Sequence, residues 1–296
     1  MNEPKLSIII LNWNTAKLLR DCLESLESTI NSKQLTVEVI VVDNGSTDNS
    51  VQEVKSLKFK NFKLKIIENG ENLGFSKGNN IGIKAATGQY IMLLNSDTIV
   101  QKDALLQLTA FLDTHSEVDI IGPKLLNSDG TLQANCGRFP DLWVSAIMLF
   151  VEHLGANRFV RWSPKKSEFV DWLMGAAFIA RREVFDKIGG LDERIFMYME
   201  EVEWFYRAQK AGFKAYFLKE VEIIHLGRGS SKSGKKEPIL NIYRGLLHYY
   251  REHGNPVSLT ILRFMLKIKA AIALTIGYLK KDNYLKETYA EAIKIN

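Results

Sequence analysis

Cysteine is scarce in this chain of 296 residues, which has only Cys22 and Cys136. Two cysteines without paired spacing form neither a disulfide framework nor a cysteine zinc site, and they favour a reducing compartment. The N-terminus enters a strand without a basic segment and a long apolar core, so we expect no signal peptide and a cytoplasmic location. The formal net charge of +5 is too small by itself to imply a nucleic-acid partner, and we expect none.

A long apolar run is also absent. The uncharged stretch between Lys269 and Lys280 has ten residues, whereas a membrane-spanning helix needs about 20. Residues 254–296 carry seven Lys or Arg against three Asp or Glu, a balance typical of a helix on an anionic membrane surface. We therefore expect peripheral association with the inner face of the cell membrane. Packing of this helix on its own domain or on a second subunit, as in a homodimer, is the alternative.

Apolar runs and helical segments alternate along the first half of the chain. Strands are predicted at 6–11, 37–42, 62–67, 90–95 and 118–121, with helices between them. This alternation is typical of a mostly parallel, Rossmann-like sheet flanked by helices, so we predict an α/β fold. The second half is less regular, with strands predicted at 213–218 and 221–225 and helices at 141–154, 181–187, 199–207 and 256–281.

Residues 90–98 (YIMLLNSDT) begin with an apolar run that is typical of a strand buried on both faces, and they end in a polar cluster. Ligands of parallel sheets bind just outside the carboxyl ends of the strands, where Asp97 can hold a metal ion against a phosphorylated ligand. A second polar cluster, at 43–48, follows another strand, so we expect Asp43, Asp48 and Asp97 to converge on one crevice. Helix capping is the alternative role for these residues, and for Asp48 it is the favoured one.

An acidic cluster opens the helix predicted at 199–207. Glu203 can pair with Arg207 one turn later, which is most simply structural. Glu201 projects about 100° away from Glu200 on a helix and can therefore serve a different role.

Two stretches of the second half are compatible with ligand binding. The small residues at 175–177 (GAA) let a ligand approach the backbone closely. His225 ends an apolar strand, where a lone histidine is usually structural. The basic, Gly/Ser-rich stretch at 227–236 that follows is either a solvated linker or a mobile lid that supplies positive charge over phosphates.

The chain resembles the family-2 glycosyltransferases, and within them the bacterial branch that includes rhamnosyltransferases. The resemblance covers roughly residues 5–250 and consists of motifs that are weak singly but strong in this order. The motifs are DNGSTD at 43–48, NLGFSKGNN at 72–80, LLNSDT at 93–98, GAAF at 175–178, GGLDE at 189–193, EEVE at 200–203 and His225.

The resemblance implies a GT-A fold and an inverting transfer of a sugar from dTDP-rhamnose or a UDP-hexose to a saccharide or lipid-linked acceptor in cell-surface polysaccharide synthesis. It implies Glu201 as the catalytic base, and Asp97 with His225 as ligands of Mn²⁺ or Mg²⁺. Residues implied at the nucleotide-sugar donor are Asn12, Asp43, Gly74, Lys77, Asn79, Asn80, Asn95 and Ser96. Residues implied at the sugar and acceptor pocket are Gly175, Ala176 and Glu200.

Two positions depart from the family pattern. Asn95 stands where the motif often has Asp, which reduces the number of carboxylates at the metal, and Glu201 stands where Asp is common. The resemblance also implies a glycosyltransferase domain at 1–253, with a nucleotide-binding half at 1–122 and an acceptor half at 123–253, followed by a helical extension at 254–296.

Two other functions fit parts of the sequence. The first is a nucleotidyltransferase that makes sugar nucleotides on a related sheet, although the first strand is not followed by the Gly-rich, basic loop that holds a triphosphate. The second is a non-catalytic protein that binds nucleotide sugars or nucleic acid, for which Glu201 would be dispensable and stacking aromatics would line the sheet edge.

Overall fold

The computed structural model describes residues 3–151, 159–227 and 236–295. The basic stretch predicted as a lid at 227–236 therefore lies almost entirely outside the described residues, as does the end of the helix predicted at 141–154.

The first half alternates strands and helices as predicted. Its elements are β1 (Leu6–Asn12), α1 (Ala16–Thr29), β2 (Val37–Asp43), α2 (Ser50–Ser56), β3 (Lys63–Glu68), α3 (Phe75–Ala85) and β4 (Tyr90–Leu94). β1 pairs in parallel with β2 and with β4, and β2 pairs in parallel with β3. Alternate residues of β1 belong to two separate hydrophobic cores, with Ile8 and Ile10 on one face of the sheet and Ile9 on the other. Helices therefore cover both faces, which is why the strands read as continuous apolar runs.

The second half adds strands of both directions to the same sheet. Its elements are β5 (Thr98–Val100), α4 (Ala104–Thr114), β6 (Ile120–Leu126), β7 (Leu132–Gln133), β8 (Cys136–Gly137), α5 (Leu142–Phe150), β9 (Arg161–Trp162), β10 (Glu168–Val170), β11 (Trp172–Leu173), β12 (Ala177–Arg181), α6 (Arg182–Ile188), α7 (Glu200–Lys210), β13 (Ala215–His225), α8 (Lys236–His253), α9 (Pro256–Leu279) and α10 (Asn283–Ala292). The main sheet has the order β10-β13-β6-β12-β4-β1-β2-β3, and β11, β8 and β9 form a small second sheet. The predicted α/β fold is confirmed.

Several details differ from the sequence-based expectation, and the six strands β7 to β12 were not predicted. The strands predicted at 213–218 and 221–225 are one strand, β13, whose register against β6 shifts between Leu218 and Glu222. This irregularity interrupts the apolar pattern without ending the strand. The short strand β5 was not expected, and it pairs antiparallel with the end of β13.

The three C-terminal helices pack together with α5 around their own hydrophobic core, which includes Leu149, Leu246, Leu266 and Tyr289. This arrangement leaves one face of α9 exposed. Within the part of the chain that the structure describes, no helix is long and apolar enough to cross a membrane. The division of the chain at residues 253 and 254 remains a prediction.

Candidate active site

A cavity of about 340 Å³ lies at the carboxyl ends of β1 and β4. The order of the sheet explains which residues meet there. β12 pairs antiparallel with β4, so the start of β12 lies beside the end of β4, and the Asn95 N–H donates to the Ala176 carbonyl at 2.9 Å. Of the residues implied by the resemblance, the cavity wall contains Gly74, Asn95, Ser96, Asp97, Gly175, Ala176, Glu200, Glu201 and His225.

The metal-binding pair predicted from the sequence is close together. The His225 Nε2 atom lies 3.3 Å from Asp97 Oδ1, and both side chains are largely buried. The pairing of β5 with β13 fixes this approach, because Thr98 lies opposite His225 and the Asp97 carbonyl accepts from the Leu226 N–H at 2.9 Å. The strand that the sequence did not predict is thus the one that brings Asp97 to His225.

Gln133, which the sequence analysis did not single out, orients the histidine. His225 Nδ1 lies 2.7 Å from Gln133 Oε1, and Gln133 Nε2 donates to Asn127 Oδ1 at 2.9 Å. Because the amide nitrogen of Gln133 is committed to Asn127, its oxygen accepts from Nδ1–H. In the neutral ring the lone pair of Nε2 then faces Asp97, as in a metal-ligating histidine. Gln133 is 92 residues from His225 along the chain, so no local pattern reveals the contact.

The ligand atoms of Asp97 and His225 fit a divalent cation. A carboxylate and an imidazole nitrogen suit Mn²⁺ or Mg²⁺, and the Asn95 side chain lies beside them, with Nδ2 3.4 Å from His225 Nε2. Among residues 3–151, 159–227 and 236–295, no group of three or more His, Cys, Asp or Glu is placed to hold a metal ion. The described chain therefore supplies two such ligands, and oxygens of the substrate and water would have to supply the rest.

The acidic pair Glu200 and Glu201 opens α7 and also lines the cavity. Tyr198 and Met199 precede it with φ angles of 67° and 75°, the left-handed region that costs non-glycine residues about 1–3 kcal/mol each. Helix α7 is held by Trp204 and Phe205, whose rings lie 5.5 and 5.1 Å from the ring of Phe178 on β12. The strained turn and this packing together place the Glu201 side chain beside Gly175.

Both carboxyl groups are desolvated. Each has a buried Oε2 atom without a hydrogen-bond partner in the described part of the chain. Burial raises the pKa of Glu201, and its own N–H, the charge of Arg161 and the Gly175 N–H oppose the rise. Burial, with the charge of Glu201, raises the pKa of Glu200 well above its usual value. A carboxylate that is poorly solvated at the wall of a cavity is a better proton acceptor than one in water.

Glu203 has the structural role predicted for it. Arg207 Nε contacts both of its carboxyl oxygens, at 2.8 and 2.9 Å, and His253 Nε2 lies 3.0 Å from Oε1. Glu203 is buried and Arg207 is partly exposed, and His253 reaches Glu203 from α8.

Asn12 and Asp43 lie next to the cavity but are not part of its wall. The Asp43 carboxylate accepts from Asn12 Nδ2 at 2.8 Å and from the Ser46 N–H at 2.9 Å, and both side chains are buried. Asp43 thus holds the loops after β1 and β2 together, and its contact with a nucleotide base stays a prediction. Asp48 accepts from the N–H groups of Ala16 and Ser50 at 3.1 and 3.0 Å, which confirms its predicted helix-capping role for α1 and α2.

The segment that leads into α3 and begins it contains three residues with structural roles and one exposed lysine. Gly74 has a φ of 84°, and a Cβ there would meet the Phe196 carbonyl at 2.8 Å, so only glycine fits. Asn79 and Asn80 are buried, and Asn80 Nδ2 donates to the Leu191 carbonyl at 2.8 Å. Lys77 is exposed outside the cavity wall. Donor binding by these three residues remains a prediction.

Comparisons with known proteins show the family and the fold of the chain. The Glycosyl transferase family 2 profile matches residues 7–202, a stretch that includes Asp97 and Glu201. A low-salt glycan biosynthesis hexosyltransferase, Agl10 of Haloferax volcanii, is 27% identical over 224 residues, which are 74% of this chain and 66% of that protein. The N-acetylglucosaminyl-diphospho-decaprenol L-rhamnosyltransferase of Mycobacterium tuberculosis is 26% identical over 239 residues, which are 74% of this chain and 75% of that protein.

Solved structures show the same fold. S. aureus TarS in complex with UDP-GlcNAc superposes with a TM-score of 0.61 at 20% identity, over 97% of this chain and 79% of that one. The mannosyltransferase PcManGT from Pyrobaculum calidifontis, in complex with GDP-Man and Mn²⁺, superposes with a TM-score of 0.58 at 16% identity, over 99% of this chain and 86% of that one. The resemblance drawn from the motifs is confirmed: the chain belongs to glycosyl transferase family 2 and has the GT-A fold of glycosyltransferases.

Proposed function

We propose that this protein is a metal-dependent, inverting glycosyltransferase that moves a sugar from a nucleotide-diphosphate sugar to a saccharide or lipid-linked acceptor. The observation that carries the proposal is that one cavity contains both the Asp97–His225 pair and the desolvated Glu201 carboxyl. Such a cavity has one side suited to a diphosphate and another suited to a hydroxyl group that must lose its proton.

The donor side uses Asp97 and His225, which would hold the divalent ion. A bound divalent ion neutralises the charge that develops on the departing nucleoside diphosphate. Asn95 and Ser96, at the end of β4, lie beside the same corner and orient the donor. Both relatives named above transfer hexoses, and PcManGT was crystallised with Mn²⁺, which supports this assignment.

The acceptor side uses Glu201. As the acceptor oxygen forms its bond to the anomeric carbon, the bond from that carbon to the diphosphate breaks with its electron pair, and the hydroxyl proton passes to Glu201. Attack opposite the leaving group inverts the anomeric carbon in one step, so no covalent intermediate with the protein is needed. Burial and the charge of Glu201 raise the pKa of Glu200 well above its usual value, and the charge of Arg161 and the N–H groups around Glu201 favour the ionised form of Glu201.

A donor screen tests the proposal directly. The full chain is incubated with Mn²⁺ or with EDTA and with dTDP-rhamnose, UDP-glucose, UDP-N-acetylglucosamine or GDP-mannose, and thermal shift and release of nucleoside diphosphate are measured. We expect one donor to raise the melting temperature only with the metal, and NMR of the product to show inverted anomeric configuration. Binding that is independent of metal would refute the role of Asp97, and a retained configuration would refute the single-step mechanism.

We also propose that α9 binds an anionic membrane surface on the cytoplasmic side. Its outward face carries an apolar stripe one residue wide, in which Phe264 is 66% and Leu279 is 79% exposed. The stripe consists of Val257, Ile261, Phe264, Ile268, Ile272, Ile276 and Leu279. α9 contains three basic residues and no Asp or Glu, so a second copy would bring like charges to this face, whereas anionic lipids complement them.

Vesicle flotation distinguishes an anionic membrane from a second copy of the chain as the binding partner of this stripe. Replacing Phe264 and Ile272 by Ser should abolish flotation with vesicles that contain phosphatidylglycerol. Phe169→Ser, a change of an aromatic on β10 that is 51% exposed, is the control and should float like the original protein. Light scattering that shows a dimer, dissociated by the same double substitution, would contradict the membrane assignment in favour of a homodimer.

A further inference from the structure

Helix α8 packs closely against the turn at Tyr198 and Met199 that precedes the acidic pair. Gly245, in the middle of α8, is buried. A Cβ atom at this position would lie 2.7 Å from Met199 Cβ and 3.0 Å from the Tyr198 carbonyl oxygen. Glycine in the middle of a helix is unfavourable by itself, and the close approach of the turn gives this glycine a physical reason.

A polar contact joins α8 to the segment before the turn. His248 Nε2 lies 2.8 Å from Asp192 Oδ2, and both side chains are largely buried. The same segment is held by α3, because the Phe75 N–H donates to the Phe196 carbonyl at 2.7 Å. The chain that leads into the turn is therefore held by α3 and by α8.

Another polar contact joins α8 to the helix that begins after the turn. His253 Nε2 lies 3.0 Å from Glu203 Oε1, and Glu203 is almost fully buried. Met199 itself packs against two hydrophobic cores, one on the sheet and one among the C-terminal helices. Helix α8 thus contacts the chain before, within and after the turn.

The turn needs this support from outside. Tyr198 and Met199 both have φ angles in the left-handed region, and such residues persist only where the surrounding structure fixes them. The turn, α8 and Glu201 also line a second cavity, of about 590 Å³, so the turn has space to move into on that side. A shift of the turn would carry Glu201 with it, because Glu201 follows Met199 by two residues.

We propose that α8 is a positioning element of the active site, in which Gly245 and His253 are positioning residues that fix the place of the Glu201 carboxyl group. This inference rests on the proposed function, because it concerns the base of the same reaction. The match to the family profile ends at residue 202, so α8 lies outside the stretch that the profile describes. Proton transfer at the active site then depends on a helix beyond that stretch.

Gly245→Ala tests the proposal by adding one methyl group at the contact. The Glu203 N–H donates to the Met199 carbonyl at 3.0 Å, and we expect its hydrogen exchange in the ligand-free protein to become at least tenfold faster by NMR. We also expect kcat for release of nucleoside diphosphate to fall at least tenfold, with KM for the donor within twofold of the original. The substrates are the four nucleotide sugars of the donor screen, each with Mn²⁺.

Gly277→Ala is the matched control. It adds the same methyl group to α9, where a Cβ atom would lie 2.9 Å from Leu285 Cβ and 3.0 Å from the Lys286 nitrogen on α10. It should lower the melting temperature to a comparable extent and leave both kcat and the exchange of the Glu203 amide unchanged. Equal changes in the two variants would overturn the proposal, because any crowding among the C-terminal helices would then have the same effect.

His253 provides a second variant that adds no bulk, in case Gly245→Ala does not fold. His253→Ala removes the contact with Glu203 and should lower kcat with KM unchanged, whereas His253→Gln retains an N–H donor and should restore kcat. His115→Ala, just after α4, is the control for loss of a histidine and should leave kcat unchanged. Normal kcat and normal exchange at Glu203 in His253→Ala would contradict positioning by α8.

The exchange measurement separates failure of this inference from failure of the proposed function, because it needs neither donor nor acceptor. Faster exchange in Gly245→Ala with unchanged kcat would sustain the hold of α8 on the turn and refute Glu201 as the base. Lower kcat with unchanged exchange would overturn positioning by α8 and leave the proposed function intact.

Discussion

Asn80 gives the sharpest test of what the structure adds to the sequence. The motif implies that Asn80 contacts the donor, whereas its buried side chain binds both backbone groups of Leu191. Asn80 Oδ1 accepts from the Leu191 N–H at 2.8 Å, and Nδ2 donates to the Leu191 carbonyl at 2.8 Å and to Glu193 Oε1 at 3.0 Å. Asn80→Ala removes all three bonds and leaves two buried backbone groups at Leu191 without partners.

The expected loss of stability follows from these contacts. Each buried group left unsatisfied costs about 1–3 kcal/mol, so the two groups at Leu191 should lower the free energy of unfolding of Asn80→Ala by about 2–6 kcal/mol. For a domain of this size, a change of 1 kcal/mol shifts the melting temperature by about 2–4 °C. Asn79→Ala is the matched control, because the Asn79 side chain makes one bond, to the Phe75 carbonyl within the same helix at 2.9 Å, and its loss should cost about 1 kcal/mol.

Thermal unfolding and donor titration of the two variants distinguish the roles. Below its melting temperature, Asn80→Ala should bind the donor with the affinity of the original protein. Unchanged stability together with a weakened donor affinity would refute the structural role and restore the one implied by the motif.

Three further predictions concern the catalytic groups. Glu201→Gln should lower kcat about 10²–10⁴-fold with the donor thermal shift retained, and normal turnover in single-turnover assays would exclude Glu201 as the base. Gln133→Ala removes the acceptor that orients His225 and should weaken metal affinity about 10–100-fold in Mn²⁺ titrations, with Asn127→Ala giving a smaller effect in the same direction. The pKa of Glu200 is raised in the folded protein, so Glu200 destabilises the fold as the pH rises above the carboxyl pKa of the unfolded chain. Glu200→Gln should therefore increase the free energy of unfolding at pH 7 and not at pH 4, as measured by denaturant titration. An equal effect at both pH values would contradict the burial of an ionisable group at this position.

The sequence was sufficient for features that depend on local pattern. The strands β1 to β4 were predicted because both of their faces are buried and their apolar runs are continuous. The positions of Asp97 and His225 at strand ends and of Glu201 at the start of a helix follow from the same kind of pattern, whereas their roles are implied by the family resemblance and remain predictions. These signals lie within a few residues of the side chains they identify.

The sequence was not sufficient for features that depend on distant pairing. β5 has three residues, and it forms a strand because it pairs with β13, which lies over a hundred residues further along the chain. Gln133 and the partner of Asn80 are likewise distant in sequence. Such partners decide whether an asparagine of a motif faces a ligand or the backbone, and the periodicity of the sequence does not predict them.

The meeting of two cavities at a few shared side chains has an evolutionary consequence. One cavity, of about 340 Å³, lies at the carboxyl ends of β1 and β4, and another, of about 590 Å³, is lined in part by α5, α8, α9 and α10. Among the described residues, Arg161, Tyr198 and Glu201 are the ones that line both. Substitutions in these helices can therefore reshape the larger cavity while the residues at the ends of the strands stay as they are.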